Sequence, residues 1–82
     1  MRVGVVGIRG MGKNHLSAAK RCARVREVAG CDMDERVRAS VGTEMQVPTF
    51  ASVEALLREF KPQALVVATP PNRHGEVVRA AF

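Results

Sequence analysis

Between residues 7 and 12 the chain reads Gly7-Ile8-Arg9-Gly10-Met11-Gly12. A short apolar run, Val3–Val6, precedes it, and a run of helix-forming residues follows. Glycines at a strand-to-helix junction let the backbone turn tightly and come close to a bound group. The unpaired N–H groups of the following helix, with the helix dipole behind them, favour a phosphate there. Asp32 lies 20 residues past Gly12. That is the offset of the acid that meets a ribose hydroxyl when a dinucleotide lies across such a unit. A tight turn with no ligand is the plain alternative. Asp32 also has one, as an exposed acid at a strand end or a cap for the next helix.

The glycine pattern departs from G-x-G-x-x-G in one place. The middle glycine would be residue 9, which is Arg9, and Gly10 sits one place late. A side chain at residue 9 must point away from a pyrophosphate, or its guanidinium must pair with it. A second motif uses the same residues. Gly7-x-x-x-x-Gly12-Lys13 matches a P-loop up to its last position, where the chain has Asn14 instead of Ser or Thr. The missing hydroxyl is the magnesium ligand of that motif. An ATP- or GTP-binding module is therefore the competing reading. If Asp32 meets a ribose 2′-hydroxyl, it repels a 2′-phosphate. This favours NAD(H) over NADP(H), and Arg36 lies close enough in sequence to blur the preference.

Thr69-Pro70-Pro71-Asn72-Arg73-His74 is the other segment with chemical content. The two prolines fix a turn at the end of an apolar strand, and Asn72 and His74 offer polar groups beside it. A histidine at a helix start is more often structural, and His15 most simply packs or hydrogen-bonds on the first helix.

The elements that must position these residues follow from periodicity. Val3–Val6 reads as a buried strand and Met11–Ala23 as a helix, with Leu16, Ala19 and Ala23 on one face. Glu27–Asp32 reads as a second strand. Asp34 caps a short helix to about Val41, where Gly42 stops it. Val47–Phe50 is a short third strand. Ser52 caps a helix over Val53–Phe60 that Lys61-Pro62 ends. Ala64–Thr69 is a fourth strand, and a last helix starts at Arg73 or His74. The order is βαβαβαβα, with continuous apolar strands. The expected fold is an α/β, doubly wound parallel sheet, half of a Rossmann unit, in three layers with strand order 3-2-1-4. Ligands of such sheets sit beyond the carboxyl ends of the strands, where the winding reverses.

Composition excludes several classes. Of the 82 residues, 46% are apolar and 26% charged. That mixture is ordinary for a folded chain and argues against general disorder. No apolar stretch is long enough to span a membrane, and the N-terminus has no signal-peptide pattern. The expected compartment is the cytoplasm. Cys22 and Cys31 have neither metal-ligand nor disulfide-framework spacing, and read as reduced structural thiols. The net charge of +5 is concentrated at one end. Residues 1–26 hold seven cations and no acid, whereas residues 27–82 hold six cations and eight acids. A solvated basic face or an anion site accounts for this better than nucleic acid does. Three Phe and no Trp or Tyr leave little on which bases could stack.

Residues 3–15 (V-G-V-V-G-I-R-G-M-G-K-N-H), the strand ending at Asp32 and residues 68–81 (A-T-P-P-N-R-H-G-E-V-V-R-A-A) together resemble the N-terminal domain of the Gfo/Idh/MocA oxidoreductases. The resemblance covers essentially the whole chain. It implies a Rossmann fold, NAD or NADP as cofactor, and hydride transfer on a sugar, cyclitol or related compound. It implies Gly7, Gly10 and Gly12, with the neighbouring backbone of Ile8, Arg9 and Met11, on the pyrophosphate. It puts Asp32 near the adenosine ribose with Met33 beside it, and Thr69, Pro70, Asn72 and His74 on the nicotinamide side. Pro71 is inserted relative to the family's A-T-P-N-x-x-H, and Arg9 replaces a usual glycine. The family's catalytic lysine follows the last helix and has no counterpart here, so no catalytic residue is carried over and cofactor binding without catalysis is expected of this chain. A missing further strand and substrate domain would leave strand 4 as an open edge, suited to self-association.

Overall fold

The structure, a computed structural model, describes residues 1–68 and 76–79. Its elements are β1 (Arg2–Val6), α1 (Met11–Arg21), β2 (Glu27–Cys31), α2 (Glu35–Met45), β3 (Thr49–Phe50), α3 (Val53–Ala55), which runs on as a π-helical turn over Leu56–Phe60, β4 (Ala64–Val67) and β5 (Glu76–Arg79). They form one sheet in the order β3-β2-β1-β4-β5. β1 pairs in parallel with β2 and β4, with Val5 opposite Gly30 on one side and Val66 on the other. β3 pairs in parallel with β2. The four-stranded parallel sheet in order 3-2-1-4 is the expected one.

Two apolar clusters hold the layers together. Val3, Val5, Ile8, Leu16, Val28 and Val41 form the larger, which joins the sheet to α1 and α2. Ala29, Cys31, Leu56 and Leu65 form the other, beneath α3 and the π-turn. Alternate residues of β1 and β2 supply opposite faces, so both faces of the central strands are covered. That is why these strands read as continuous apolar runs. The widened π-turn brings Leu56, Leu57 and Phe60 together onto the sheet, and the Phe60 ring lies 6.4 Å from that of Phe50. It ends at Lys61, whose φ of 54° precedes Pro62. Proline disfavours the right-handed helical region for the residue before it.

The structure corrects the sequence reading in three places. Gly42 does not stop α2, which continues to Met45 and ends at Gln46 with φ 56°. Gly42 instead lets α2 lie close to β3, because a Cβ there would come within 3.2 Å of the Thr49 side chain. The helix tolerates an internal glycine at a cost of about 1 kcal/mol. The third strand shrinks to Thr49–Phe50. The expected last helix is absent over residues 76–79, which form β5, antiparallel to β4, with Leu65 opposite Val78 and Val66 opposite Val77. Two β-branched residues in sequence favour extended backbone, and the unpaired N–H and C=O groups of β4 offer it a partner. The β4 edge is therefore covered, and the outer edge on that side belongs to β5.

Candidate functional site

The glycine loop sits at the C-terminal end of β1, against the end of β2. Gly7 adopts φ 82° and its N–H donates to the Cys31 carbonyl at 2.7 Å. Ile8, fully buried, anchors the loop in the core. Gly10 adopts φ 59° and ψ −116° immediately before α1, a conformation strained for any residue with a Cβ. Gly12 has no space at all, since a Cβ would fall 1.4 Å from the Gly7 carbonyl oxygen. The first turn of α1 is thereby pressed onto the strand end.

The Gly12 N–H donates to the Arg9 carbonyl, and those of Lys13 and Asn14 donate to the Gly10 carbonyl. The N–H groups of Arg9, Gly10 and Met11 find no acceptor among the described residues. No acid stands in the first turn, and Lys20 and Arg21 stand in the last. An 11-residue helix with free N–H groups and a positive dipole end suits a phosphate. The pressed turn and the free donors fit a pyrophosphate.

Asp32 follows β2, half-buried. One carboxylate oxygen, Oδ2, accepts the Ile8 N–H at 3.3 Å, and the other, Oδ1, accepts the Asp34 N–H at 2.9 Å. Arg38 donates to the carbonyls of Asp32 and Met33. Asp32 thus ties the glycine loop to the β2–α2 turn, and Met33 beside it is 89% exposed. Asp34 caps α2 by accepting the Arg36 N–H at 2.9 Å. Cys31 lies just below. Its burial, then the Asp32 carboxylate, push its thiol above the ordinary range, against the Arg38 guanidinium, which pulls it down.

Arg9 is turned toward the β2–α2 turn. Its Nη2 donates to Asp34 Oδ2 at 2.9 Å in an exposed pair. Lys13 pairs with Glu44 on α2 at 2.6 Å, so its ammonium is directed to the neighbouring helix. An open cavity of about 270 Å³ lies between the loop and α2, lined by Ile8, Arg9, Gly10, Lys13, Arg36, Val37, Ser40 and Val41. Ser40 and the Arg9–Asp34 pair had no signature in the sequence motifs. The only trace was the four-residue spacing of Arg36 and Ser40, which puts both on one face of a helix.

The structure brings Gly7, Ile8, Arg9, Gly10, Met11, Gly12, Asp32 and Met33 to one end of the sheet. Thr69, Pro70, Asn72 and His74 lie outside the described residues. His15 on α1 is half-buried, and its Nε2 has no partner among the described residues. Among the described residues, no group of three His, Cys, Asp or Glu is placed to hold a metal. No helix among them is long and apolar enough to cross a membrane.

A parallel sheet in this order, with a glycine loop at the switch point and an acid at the end of β2, defines a nucleotide-binding Rossmann unit. The oxidoreductase family with an NAD-binding Rossmann fold, Gfo/Idh/MocA, matches residues 1–82, and the chain belongs to it. It is 34% identical over 83 aligned positions to a UDP-N-acetylglucosamine 3-dehydrogenase of Acidithiobacillus ferrooxidans, covering 100% of this chain and 25% of that protein. It is 30% identical over 82 positions to a D-xylose 1-dehydrogenase (NADP(+)) of Haloferax volcanii, covering 99% of this chain and 25% of that protein. The crystal structure of GenD2 from gentamicin A biosynthesis, in complex with NAD, superposes with a TM-score of 0.77 at 30% identity, over 85% of this chain and 20% of GenD2. The chain spans about a quarter of the length of the curated relatives it matches. Nothing in these likenesses favours the P-loop reading.

Proposed function

We propose that this chain binds a nicotinamide dinucleotide across the C-terminal ends of β1, β2 and β4. It is the cofactor-binding part of an oxidoreductase that acts on a sugar, cyclitol or related hydroxyl or carbonyl compound. The observation that carries this is the Asp32 carboxylate bonded to the Ile8 N–H, because it joins the phosphate-facing loop to the ribose-facing acid. Gly7, Gly10 and Gly12, with the backbone of Ile8, Arg9 and Met11, take the pyrophosphate. Asp32 takes the adenosine ribose, and Met33 flanks it. Thr69, Pro70, Asn72 and His74 take the nicotinamide side, on sequence grounds alone. When bound, the nicotinamide accepts or gives the hydride, while this chain's residues bind and orient it. Relatives named for UDP-N-acetylglucosamine and D-xylose support the sugar class. The cytoplasm suits the two free thiols. Self-association would run through the outer edge of β5, and sedimentation at rising concentration tests it.

Titration with NADH, followed by the cofactor's fluorescence, tests the reading. Saturable binding that weakens about tenfold in Asp32→Ala supports it, on the scale of one lost charged hydrogen bond. Binding of magnesium-ATP without binding of NADH would overturn it in favour of the P-loop.

A further inference from the structure

The cavity between the glycine loop and α2 has a composition that a plain ribose does not require. Its floor is apolar, from Ile8, Val37 and Val41, and its walls carry Arg9, Lys13, Arg36 and the Ser40 hydroxyl. Ile8 belongs both to this lining and to the bond with Asp32, so the cavity opens beside the acid that faces the ribose. Arg36 has no acidic partner among the described residues, and a neutral 2′-hydroxyl held by Asp32 makes no use of the Arg9 and Arg36 guanidiniums one step further out. A phosphomonoester at that position does, because it brings nearly two negative charges and three acceptor oxygens.

We propose that Arg9 is a specificity-determining residue that binds the 2′-phosphate of NADP(H) in this cavity, with Arg36 and Ser40. The inference rests on the dinucleotide reading above. Arg9 stands where the fingerprint has glycine, and its guanidinium is held at the β2–α2 turn by Asp34 Oδ2 at 2.9 Å. Both side chains of that pair are substantially exposed, 67% for Arg9 and 42% for Asp34. Exposed pairs hold their partners weakly, so a phosphate readily replaces the carboxylate. A guanidinium fork meets phosphate oxygens in two parallel bonds, which an ammonium cannot do. Asp34 keeps a role when Arg9 leaves it, since its other oxygen still caps α2 through the Arg36 N–H.

Asp32 and Asp34 oppose the phosphate electrostatically, and Glu44 holds Lys13 on the far wall. Both Asp32 oxygens already accept backbone N–H groups, and that moderates its repulsion. Arg9 and Arg36 line the same cavity, so NADPH is expected to bind at least as tightly as NADH.

Titrations with NADPH and with NADH on the 82-residue chain and its variants decide the matter, read as the ratio of the two dissociation constants. Arg9→Gly is expected to shift that ratio at least tenfold toward NADH. Arg9→Lys recovers only part of the shift, because it restores charge without the fork. Asp34→Asn keeps an oxygen to cap α2 and removes one opposing charge, so it shifts the ratio toward NADPH. Far-UV circular dichroism of each variant establishes that it is folded. If Arg9→Gly weakens both cofactors by the same factor, Arg9 serves the shared pyrophosphate and the proposal is overturned. If the wild-type chain binds neither, the dinucleotide reading itself fails and takes the proposal with it.

Discussion

Replacing Gly12 by alanine probes the contact on which the loop geometry depends. The added Cβ would stand 1.4 Å from the Gly7 carbonyl oxygen and 2.5 Å from its carbon. Both are backbone atoms, so no rotamer change relieves the overlap. Reaching even a tight 3.0 Å contact requires the first turn of α1 and the end of β1 to separate by about 1.6 Å. Overpacking of this kind costs about 1–3 kcal/mol, and backbone overlap lies at the upper end. A chain of this size has about 4–12 kcal/mol in all, so the midpoint of urea unfolding falls markedly. The same separation carries the N–H groups of Gly10 and Met11 out of hydrogen-bond range of the pyrophosphate of a dinucleotide whose ribose Asp32 holds. Losing one such charge-assisted bond costs about 1.5–3 kcal/mol, or at least tenfold in NADH affinity. Gly10→Ala is the matched control. Nothing lies within 4 Å of its added Cβ, and only the positive φ is unfavourable, at about 1–3 kcal/mol. Urea unfolding and NADH fluorescence titration measure both quantities. A Gly12→Ala chain with wild-type midpoint and affinity would refute the reasoning, because the close approach of α1 to Gly7 could not then exist.

Three further outcomes follow from the packing and the charges. Leu56→Ala empties a fully buried position beneath the π-turn and should cost about 2–5 kcal/mol in urea unfolding; a loss below 1 kcal/mol would mean that the turn does not seal that face. Asp34→Ala removes the α2 cap and should cost about 1 kcal/mol, whereas Asp34→Asn should cost little; equal losses would show that the charge, not the cap, matters. The Cys31 thiol is raised by burial and by Asp32, so the folded state keeps its proton when the unfolded chain, with an ordinary thiol near 8.5, has lost it. Stability is then fully present below about pH 8.5 and falls as pH rises toward the folded value. Urea midpoints at pH 7.5 and 9.5 should differ less in Cys31→Ala than in wild type, and an unchanged difference would contradict the assignment.

The parallel core was legible because β1, β2 and β4 are buried on both faces and read as apolar runs. That the glycine loop and Asp32 meet was legible for a related reason: each follows one of two adjacent parallel strands, so both lie at the same end of the sheet. What was not legible depends on partners distant in sequence. Gly42 looks like a stop until Thr49 is seen to need the space. Glu76–Arg79 looks like the interior of a helix begun at Arg73 or His74 until the β4 edge is seen to accept it. Arg9 left two orientations open. Asp34, 25 residues away, holds the Arg9 guanidinium at the β2–α2 turn through its second carboxylate oxygen. Asp34 was readable as a cap, because capping is local, but not as the partner of Arg9.

The most direct test of the central claim is amide chemical-shift mapping of the chain on addition of NADH. The account predicts that the largest shifts fall on the N–H groups of Ile8, Arg9, Gly10, Met11 and Asp34, at the C-terminal end of the sheet, while Arg26 and Gln63 at the opposite end stay still. Saturating shifts centred on that opposite end, or none at the glycine loop, would contradict it.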